Sequence, residues 1–359
     1  MHIIYLKLQN FRSYKHLELS FSPGINLFWG DNGQGKTNLL EALHILSTGR
    51  SFRTHRLQDV IREGENYFSL EAHFLKEETH HVLKIYYDNT SRKILYNDTP
   101  YAHFTQLLGI LPSVLLSPED LSLVSGTAAE RRRFLDLCIS QIDPLYLFYL
   151  TRYYKALKQR NALLRTQSEE TLSAWEGVMA PAGSYLICKR REIIALLHES
   201  AAEWMHAFAR EPLQLAYSAP HPLASVEELA PLLAAGWQKL RSKERRQGLT
   251  LMGPHRDDLS IFLADRLAKP FASEGQKRCC ATALRFAQWE HMNKWLGVAP
   301  LLSIDDFGIQ LDSQRQKELC QQISRFGQVF LTAPHPLTSL TETVPLRSFH
   351  IVEGNLFTS

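Results

Sequence analysis

The run Phe28–Leu40, FWGDNGQGKTNLL, limits what this chain can fold into more than any other stretch. It contains the spacing G-x-x-x-x-G-K-[ST], which ends here in Lys36 and Thr37. Glycine lets successive backbone N–H groups point at an anion, the lysine offers a charge for the β- and γ-phosphates, and the threonine hydroxyl can ligate Mg²⁺. The loop residues are Gly30, Asp31, Asn32, Gly33, Gln34, Gly35, Lys36 and Thr37. They predict a nucleotide site that takes ATP and Mg²⁺.

The residues around this loop provide the context that a phosphate loop needs. Residues 24–29 form a short, mostly apolar run typical of a buried strand. After Lys36, leucines recur at three- and four-residue spacing until Gly49 offers a C-terminal stop. The loop would therefore lie at a helix N-terminus, where the helix dipole favours phosphate. The alternative, a chance glycine-rich turn, does not explain these flanking patterns.

A second signal is the run Leu301–Asp306, LLSIDD, an apolar strand that ends in two carboxylates. In a phosphate-loop ATPase, Asp305 could hold Mg²⁺ through water beside Thr37. Asp306 could orient or deprotonate the attacking water. Alone, the pattern also fits an ordinary surface turn. Beside a phosphate loop it predicts Thr37 and Asp305 as metal residues and Asp305 and Asp306 as catalytic residues.

A third signal is Ser273–Gln276, SEGQ, which opens a predicted helix over residues 275–295. A hydroxyl, a flexible backbone and a helix dipole together suit a phosphate. The same residues would also make a simple helix N-cap. Their position shortly before the strand that ends in Asp305 favours the phosphate role.

The predicted secondary-structure pattern changes twice along the 359 residues of the chain. Strand patterns dominate up to residue 117, helical patterns dominate 118–247, and alternating strands and helices resume over 248–359. The predicted strands are residues 3–9, 16–21, 24–29, 68–75, 80–87, 92–96, 114–116, 259–263, 300–306 and 328–332. A further helix is predicted over 314–326. We therefore expect an α/β domain with a mixed sheet and antiparallel strands, interrupted by a mainly helical insertion.

Positive charge is concentrated in the predicted insertion. Residues 130–165 carry eight Lys/Arg and three Asp/Glu, a balance of 8 − 3 = +5. Such a run is either a solvated face or a DNA-binding surface. The candidate DNA contacts are Arg131, Arg132, Arg133, Arg152 and Lys155. One of the first three could instead pair with Asp136 or a nearby carboxylate, and the basic segment around Arg53 and Arg56 is the alternative DNA surface.

Cysteine usage and hydropathy bear on the compartment. The five cysteines show no C-x-x-C spacing, so they suggest reduced thiols and neither a disulfide framework nor a zinc site. The sequence has no run of about eighteen apolar residues and no apolar segment typical of a signal peptide near its start. These features predict a cytoplasmic protein without a membrane partner.

The phosphate loop, the SEGQ segment and the LLSIDD strand together resemble the ATP-binding-cassette ATPases, whose signature sequence is Leu-Ser-x-Gly-Gln. Asn38 after the loop, with Asn32 inside it, is similar to the chromosome-maintenance branch. Further matches resemble the DNA-repair members of that branch. These matches are residues 35–42, 49–53, 117–121, 131–136 and 253–258.

The resemblance implies an ATP-binding-cassette ATPase head with a helical second lobe that dimerises on ATP. Ser273, Gly275 and Gln276 would then contact the γ-phosphate held by the other protomer, and Arg12 would lie near the nucleotide. ATP hydrolysis would be slow, stimulated by DNA and used as a switch.

The resemblance also implies partners and a pathway. It predicts an ATP-dependent, DNA-binding recombination mediator that acts at gaps in repair, replication restart and the SOS response. Its DNA could be single-stranded, duplex or a gap junction. Its protein partners would be RecR directly, and RecO and the recombinase RecA in the same pathway.

Two positions depart from this pattern or stay open. The family usually has a Ser-Glu-Leu-Asp turn after the paired acids, whereas this chain has Ile309-Gln310-Leu311-Asp312. Coupling of hydrolysis across the dimer therefore does not follow from the resemblance. His335 could sense the γ-phosphate or be an ordinary loop histidine.

Two other functions remain to be weighed. An ATP-binding subunit of a membrane transporter would not need the basic helical insertion or the long separation between Thr37 and Asp305. A phosphate-loop kinase would have no use for Ser273–Gln276. Co-purification with membranes would support the first alternative, and ATP turnover that depends on a small acceptor would support the second.

Overall fold

A computed structural model describes residues 1–168, 170–307, 322–337, 346–352 and 354–358 of the chain. The strands are β1 His2–Phe11, β2 Tyr14–Ser20, β3 Ile25–Trp29, β4 Tyr67–Lys76, β5 Thr79–Asp88, β6 Arg92–Tyr96, β7 Thr99–Tyr101, β8 Ser113–Leu116, β9 Leu213–Ser218, β10 Asp258–Leu263, β11 Arg266–Leu267, β12 Leu301–Ile304, β13 Val329–Ala333, β14 Leu346–Val352 and β15 Asn355–Thr358. The helices are α1 Lys36–Thr48, α2 Leu121–Ser125, α3 Ala128–Ser140, α4 Pro144–Thr166, α5 Leu172–Ala209, α6 Val226–Gln247, α7 Ala268–Phe271 and α8 Glu274–Leu296. Short 3₁₀ turns lie at Leu57–Val60, Phe104–Leu107, Pro118–Asp120 and Ile323–Phe326.

The chain divides into two compact units. The first comprises Met1–Asp120 and Arg285–Ser359, and the second comprises Leu121–Leu284. The division at 284/285 lies later than the boundary at residue 248 that the sequence predicts. The reason is that β10 pairs antiparallel with β9 throughout its length, which keeps this part of the chain in the second unit.

The first unit contains two six-stranded sheets. One has the order β2-β1-β4-β5-β6-β7 and is antiparallel. The other has the order β15-β14-β3-β13-β12-β8, in which only the pairing of β14 with β15 is antiparallel. Every residue of β8, β12 and β13 is buried, as expected for parallel strands covered on both faces.

Helix α1 joins the two sheets through one hydrophobic core. Leu39 and Leu43 of the helix belong to the same buried cluster as Leu70 of β4 and Phe330 of β13. Strand β4 alternates buried and half-buried residues, so it covers α1 with one face only. The helix that follows the phosphate loop is therefore held firmly from two sides.

The second unit packs α4, α5 and α6 together and adds a three-stranded sheet of order β11-β10-β9. Its interior contains a fully buried arginine, Arg160, whose guanidinium donates to Glu176 at 2.8 Å, Glu244 at 2.7 Å and Thr250 at 2.8 Å. The guanidinium also lies 5.6 Å from the centre of the Trp237 ring. A buried charge is tolerated only when paired in this way, so these residues hold the helices in one register.

The structure confirms the α/β class and most of the predicted strands. Strand β9 was not predicted, because its six residues lie inside a long segment of helical patterns. Most of the helix predicted over 314–326 lies outside the described residues, and within them Ile323–Phe326 forms a 3₁₀ turn. In the described part of the chain, no helix has the length and apolar character needed to cross a membrane.

Candidate nucleotide site

The phosphate loop and the two aspartates meet because three parallel strands end at the same edge. Trp29 at the end of β3 is aligned with Ala333 of β13, and Leu331 is aligned with Ile304 of β12. The loop leaves β3 there, and Asp305 follows β12 directly. Ligands of open α/β sheets bind outside the carboxyl ends of the strands, so this edge is the expected place for a nucleotide.

Two glycines of the loop have backbone conformations that a side chain would not allow. Gly30 has a φ of +144°, and a Cβ there would lie 2.4 Å from the carbonyl oxygen of Ile351. Gly35 has a φ of +108°, and a Cβ there would lie 2.8 Å from the hydroxyl of Tyr14. That hydroxyl donates to the carbonyl of Gly35 at 3.1 Å. The loop is thus fixed by contacts on both sides.

Lys36 lies beneath the loop and is almost fully buried. Its Nζ donates to the carbonyl oxygens of Gly30 at 2.5 Å and Asp31 at 2.8 Å. Burial lowers the pKa of the ammonium, while Asp306, Asp305 and Asp31 oppose this shift. The lysine therefore holds the loop in a curved conformation around its ammonium group. A bound polyphosphate requires such a curved loop.

Asp305 is the junction between the loop, β12 and β13. Its Oδ1 accepts hydrogen bonds from the hydroxyls of Thr37 at 2.9 Å and Thr332 at 2.7 Å. Its backbone N–H donates to Leu116 of β8 at 2.8 Å. Burial raises the pKa of the carboxyl, although the two hydroxyls counteract this effect. The carboxylate is thus poorly solvated and suited to a cation.

The donor atoms of Thr37 and Asp305 fit Mg²⁺. A hydroxyl and a carboxylate offer the oxygen ligands that this hard cation prefers. The two oxygens are neighbours, joined by the hydrogen bond of 2.9 Å. No cluster of three or more His, Cys, Asp or Glu suited to a metal occurs among the described residues. Thr37 and Asp305 offer two protein oxygens, and phosphate and water would complete the coordination of the ion.

Asp306 and Thr332 form the other half of this junction. Asp306 has a φ of +54°, and its N–H donates to the Thr332 hydroxyl at 2.7 Å. The carboxylate is half-buried and is the strongest of the charges that support the Lys36 ammonium. Asp306 therefore lies where it can act on the phosphate end of the site. Sequence analysis missed Thr332, although a polar residue near the end of the apolar strand β13 was the available signal.

Arg12 is tied to α1 through Glu41. Its Nε and Nη2 donate to the two carboxylate oxygens of Glu41 at 2.8 and 2.7 Å, and its Nη1 donates to the carbonyl of Asp59. Glu41 is fully buried and also accepts from Ser51 at 2.5 Å. Sequence analysis missed Glu41 as a site residue, although an acid inside the apolar face of α1 could have indicated it.

The Ser273–Gln276 segment lies in the second unit and forms a helix cap. Ser273 Oγ accepts from the N–H of Gln276 at 3.2 Å, and the Gln276 side-chain oxygen accepts from the N–H of Ser273 at 2.7 Å. The Gln276 amide also donates to both carboxylate oxygens of Glu211 at 2.9 Å. The segment therefore forms the helix N-cap that the sequence also allowed. Ser273 and Gly275 are exposed, so an external ligand could reach them.

The predicted DNA contacts fall into two groups, and Arg131 is a correction. Arg131 is only 7% exposed and forms a bidentate ion pair with Asp258, with both distances 2.8 Å. Its charge is already used inside the second unit, so it is unsuited to a phosphate contact. Arg132 is half-buried and donates to the carbonyl of Asp257 at 2.7 Å. The exposed candidates are Arg133, Arg152 and Lys155.

Two remaining predictions concern the edges of the site. His335 is exposed, in the segment that follows β13. The turn Ile309-Gln310-Leu311-Asp312 lies outside the described residues.

Comparison with known proteins decides the family. The family model described as the RecF/RecN/SMC N-terminal domain matches residues 2–342. The DNA replication and repair protein RecF of Protochlamydia amoebophila is 44% identical over 335 residues, covering 92% of this chain and 93% of that protein. The chain belongs to the RecF family. RecF of Chlamydia muridarum is 38% identical over 362 residues, covering 99% and 98% of the two chains.

Solved structures agree with this family and with its wider fold. The recombination mediator protein RecF with ATP, from the RecFOR pathway, has a TM-score of 0.92 and 28% identity, covering 99% of this chain and 97% of that one. An Smc head bound to a ScpA domain has a TM-score of 0.57 and 16% identity, covering 100% and 97%. The RecF family thus shares its fold with chromosome-maintenance ATPase heads, which confirms the predicted fold class.

The raised pKa of Asp305 gives a prediction for the protein without nucleotide. Because the folded state binds this proton at a higher pH than the unfolded chain, the ionised carboxyl destabilises the fold at neutral pH. Asp305→Asn should therefore raise the midpoint temperature of thermal unfolding at pH 7.5.

The pH dependence tests the cause of this effect. The advantage of Asp305→Asn should shrink as the pH falls through the raised pKa towards the ordinary Asp value of about 4. Thermal unfolding of both proteins across this range is the measurement. A variant that is less stable than the wild type at pH 7.5 would contradict the account.

Proposed function

We propose that this chain is an ATP-dependent, DNA-binding recombination mediator that acts at gaps in repair, replication restart and the SOS response. The observation that carries the proposal is the arrangement of Lys36, Thr37 and Asp305 at one sheet edge. It occurs in a chain that is 44% identical to a protein named for DNA replication and repair.

The residues of the site have distinct parts in binding ATP. Lys36 would balance the charge of the β- and γ-phosphates, and the loop N–H groups would hold them at the N-terminus of α1. Thr37 and Asp305 would hold Mg²⁺, which neutralises phosphate charge when bound. Asp306 would accept a proton from the attacking water. From the resemblance to the family, we propose slow hydrolysis, stimulated by DNA, that acts as a switch.

The Ser273–Gln276 segment supports the proposal of a dimer. Ser273 and Gly275 are exposed at the start of α8, a helix of 23 residues whose N-terminus favours an anion. Ser273 exchanges cap hydrogen bonds with Gln276, and its carbonyl accepts from the N–H of Lys277 at 2.9 Å. We propose that this segment contacts ATP on a second protomer, so that ATP brings two copies together.

DNA and protein partners complete the proposal. The exposed basic residues of the second unit suit DNA phosphates without reading sequence. The solved RecF relatives are described as mediators in the RecFOR pathway. We therefore propose RecR as the direct partner, with RecO and the recombinase RecA acting in the same pathway.

DNA binding that responds to ATP tests the proposed function. ATP with Mg²⁺ should strengthen binding to gapped DNA, measured by fluorescence anisotropy beside duplex and single-stranded substrates. Lys36→Ala should lose this response, because the buried phosphates then lack their main counter-charge. Asp306→Asn should keep the response while hydrolysing ATP more slowly, since it removes a base and no phosphate ligand.

A matched control separates the nucleotide effect from a general loss of charge. Lys15→Ala removes an exposed lysine of the same unit and should keep the ATP response. If the wild type binds all three DNA substrates equally well with and without ATP and Mg²⁺, the proposed function is wrong.

Dimer formation gives a separate prediction. Ser273→Arg should block ATP-dependent dimerisation, because a bulky cation replaces the exposed hydroxyl at the start of α8. ATP binding by the monomer should stay near the wild-type value. Sedimentation with a non-hydrolysable ATP analogue is the measurement, and Ser242→Arg on the exposed face of α6 is the control. A wild-type protein that stays monomeric with the analogue would refute this assembly.

A further inference from the structure

Helix α4 carries an exposed surface that the nucleotide site does not explain. The 23 residues of the helix include no aspartate or glutamate. They include five basic residues, of which only Arg160 is buried. The exposed basic residues are Arg152, Lys155, Lys158 and Arg165. The outward surface of α4 is therefore uniformly neutral or positive.

One stripe of this surface runs straight along the helix. Its exposed members, at alternating spacings of three and four residues, are Leu145, Phe148, Arg152, Lys155 and Gln159. This spacing places them above one another on one helical face. Leu145 and Phe148 are each 49% exposed, which is unusual for large apolar side chains. At 1.5 Å per residue, Phe148 and Lys155 lie about 10 Å apart along the axis.

Aromatic rings extend the apolar end of this stripe. The Phe148 ring meets the Tyr149 ring edge-on at 5.3 Å between centroids, and Tyr149 meets Tyr185 of α5 at 4.7 Å. The Arg152 guanidinium lies 5.2 Å from the centre of the Phe148 ring. We call Phe148, Tyr149 and Tyr185 the aromatic platform. Its rings are held in place, so a planar ligand could stack on it with little loss of side-chain freedom.

The acidic groups near the platform are already engaged. Asp143 caps α4 by accepting from the N–H groups of Leu145 and Tyr146, and it also accepts from the Tyr185 hydroxyl at 2.9 Å. Glu192 of α5 forms an ion pair with Lys189 at 2.8 Å. Glu192 is thus balanced by Lys189, whereas Asp143 leaves one negative charge at the start of α4 against the four exposed cations along the helix.

We infer that the aromatic platform and the cations of α4 form a binding site for single-stranded nucleic acid. Exposed aromatic rings beside a line of cations match a ligand with both flat apolar groups and a charged backbone. The bases of a duplex are stacked on one another, so only a single strand can offer them to Phe148. An acidic protein would use the cations but not require stacking. This inference rests on the proposed DNA binding and specifies the strand that this surface takes.

Phe148→Ala tests the stacking directly. Affinity for a dT oligonucleotide should fall roughly 5- to 150-fold, as expected for the loss of one base–aromatic stack. Affinity for a blunt duplex should stay within about twofold, because backbone contacts are unaffected. The salt dependence should not change, since no charge is removed. Fluorescence anisotropy across a range of salt concentrations gives both quantities.

Four further variants separate stacking from charge and from folding. Phe148→Trp should restore single-strand affinity, and its fluorescence should change when the oligonucleotide binds. Arg152→Gln and Lys155→Gln should each lower the log-affinity versus log-salt slope by about 0.7 for a single strand. Leu232→Ala, at a leucine of α6 that is 50% exposed, is the matched control and should bind like the wild type.

The possible outcomes distinguish this inference from the proposed function. If the wild type binds DNA and Phe148→Ala binds a single strand equally well, only the platform is refuted. Equal loss for single strand and duplex would also refute stacking. Normal DNA binding with lost binding to RecR would show that the surface belongs to a protein partner. A wild type that binds no DNA at all would overturn both the platform and the proposed function.

Discussion

The hydrogen bond between the Thr37 hydroxyl and the Asp305 carboxylate holds the nucleotide site together. It joins residues that are 268 positions apart in the sequence. Thr332 donates to the same carboxylate oxygen, so one buried acid connects the ends of three strands. Because an isolated buried carboxylate is costly, the two hydroxyls offset part of the cost of burying it. The same poor solvation would favour a cation beside the carboxylate.

In the second unit, buried arginines connect elements that are distant in the sequence. Arg160 joins α4, α5 and α6, and Arg190 of α5 joins Asp136 at 2.7 Å and the carbonyl of Pro254 at 2.6 Å. Arg131 is a third such arginine, because it forms an ion pair with Asp258. Removing one partner of such a pair typically costs several kcal/mol. The basic residues of this unit are therefore of two kinds, a buried structural set and an exposed set that holds the candidates for nucleic-acid contacts.

The structure confirms the helix that follows the phosphate loop, because motif spacing directly encodes local backbone geometry. Gly30, Gly35, Lys36 and Thr37 could be placed on a loop before a helix without knowing the fold. The basic residues were harder, because adjacent positions on α3 face different surroundings. Arg131 is buried against Asp258, whereas Arg133 two residues later is exposed, and this difference depends on β10 more than a hundred residues away. Local charge alone could not reveal that long-range pairing.

The most direct test of this account is the Mg²⁺ dependence of ATP binding in Thr37→Val. Valine keeps the shape of threonine but lacks the hydroxyl, so it removes one metal ligand and one hydrogen bond to Asp305. Calorimetric titration should show that Mg²⁺ strengthens ATP binding by the wild type. Thr37→Val should bind ATP without Mg²⁺ about as well as the wild type and lose most of the gain with Mg²⁺. If the variant gains as much affinity from Mg²⁺ as the wild type, Thr37 and Asp305 do not form the metal site.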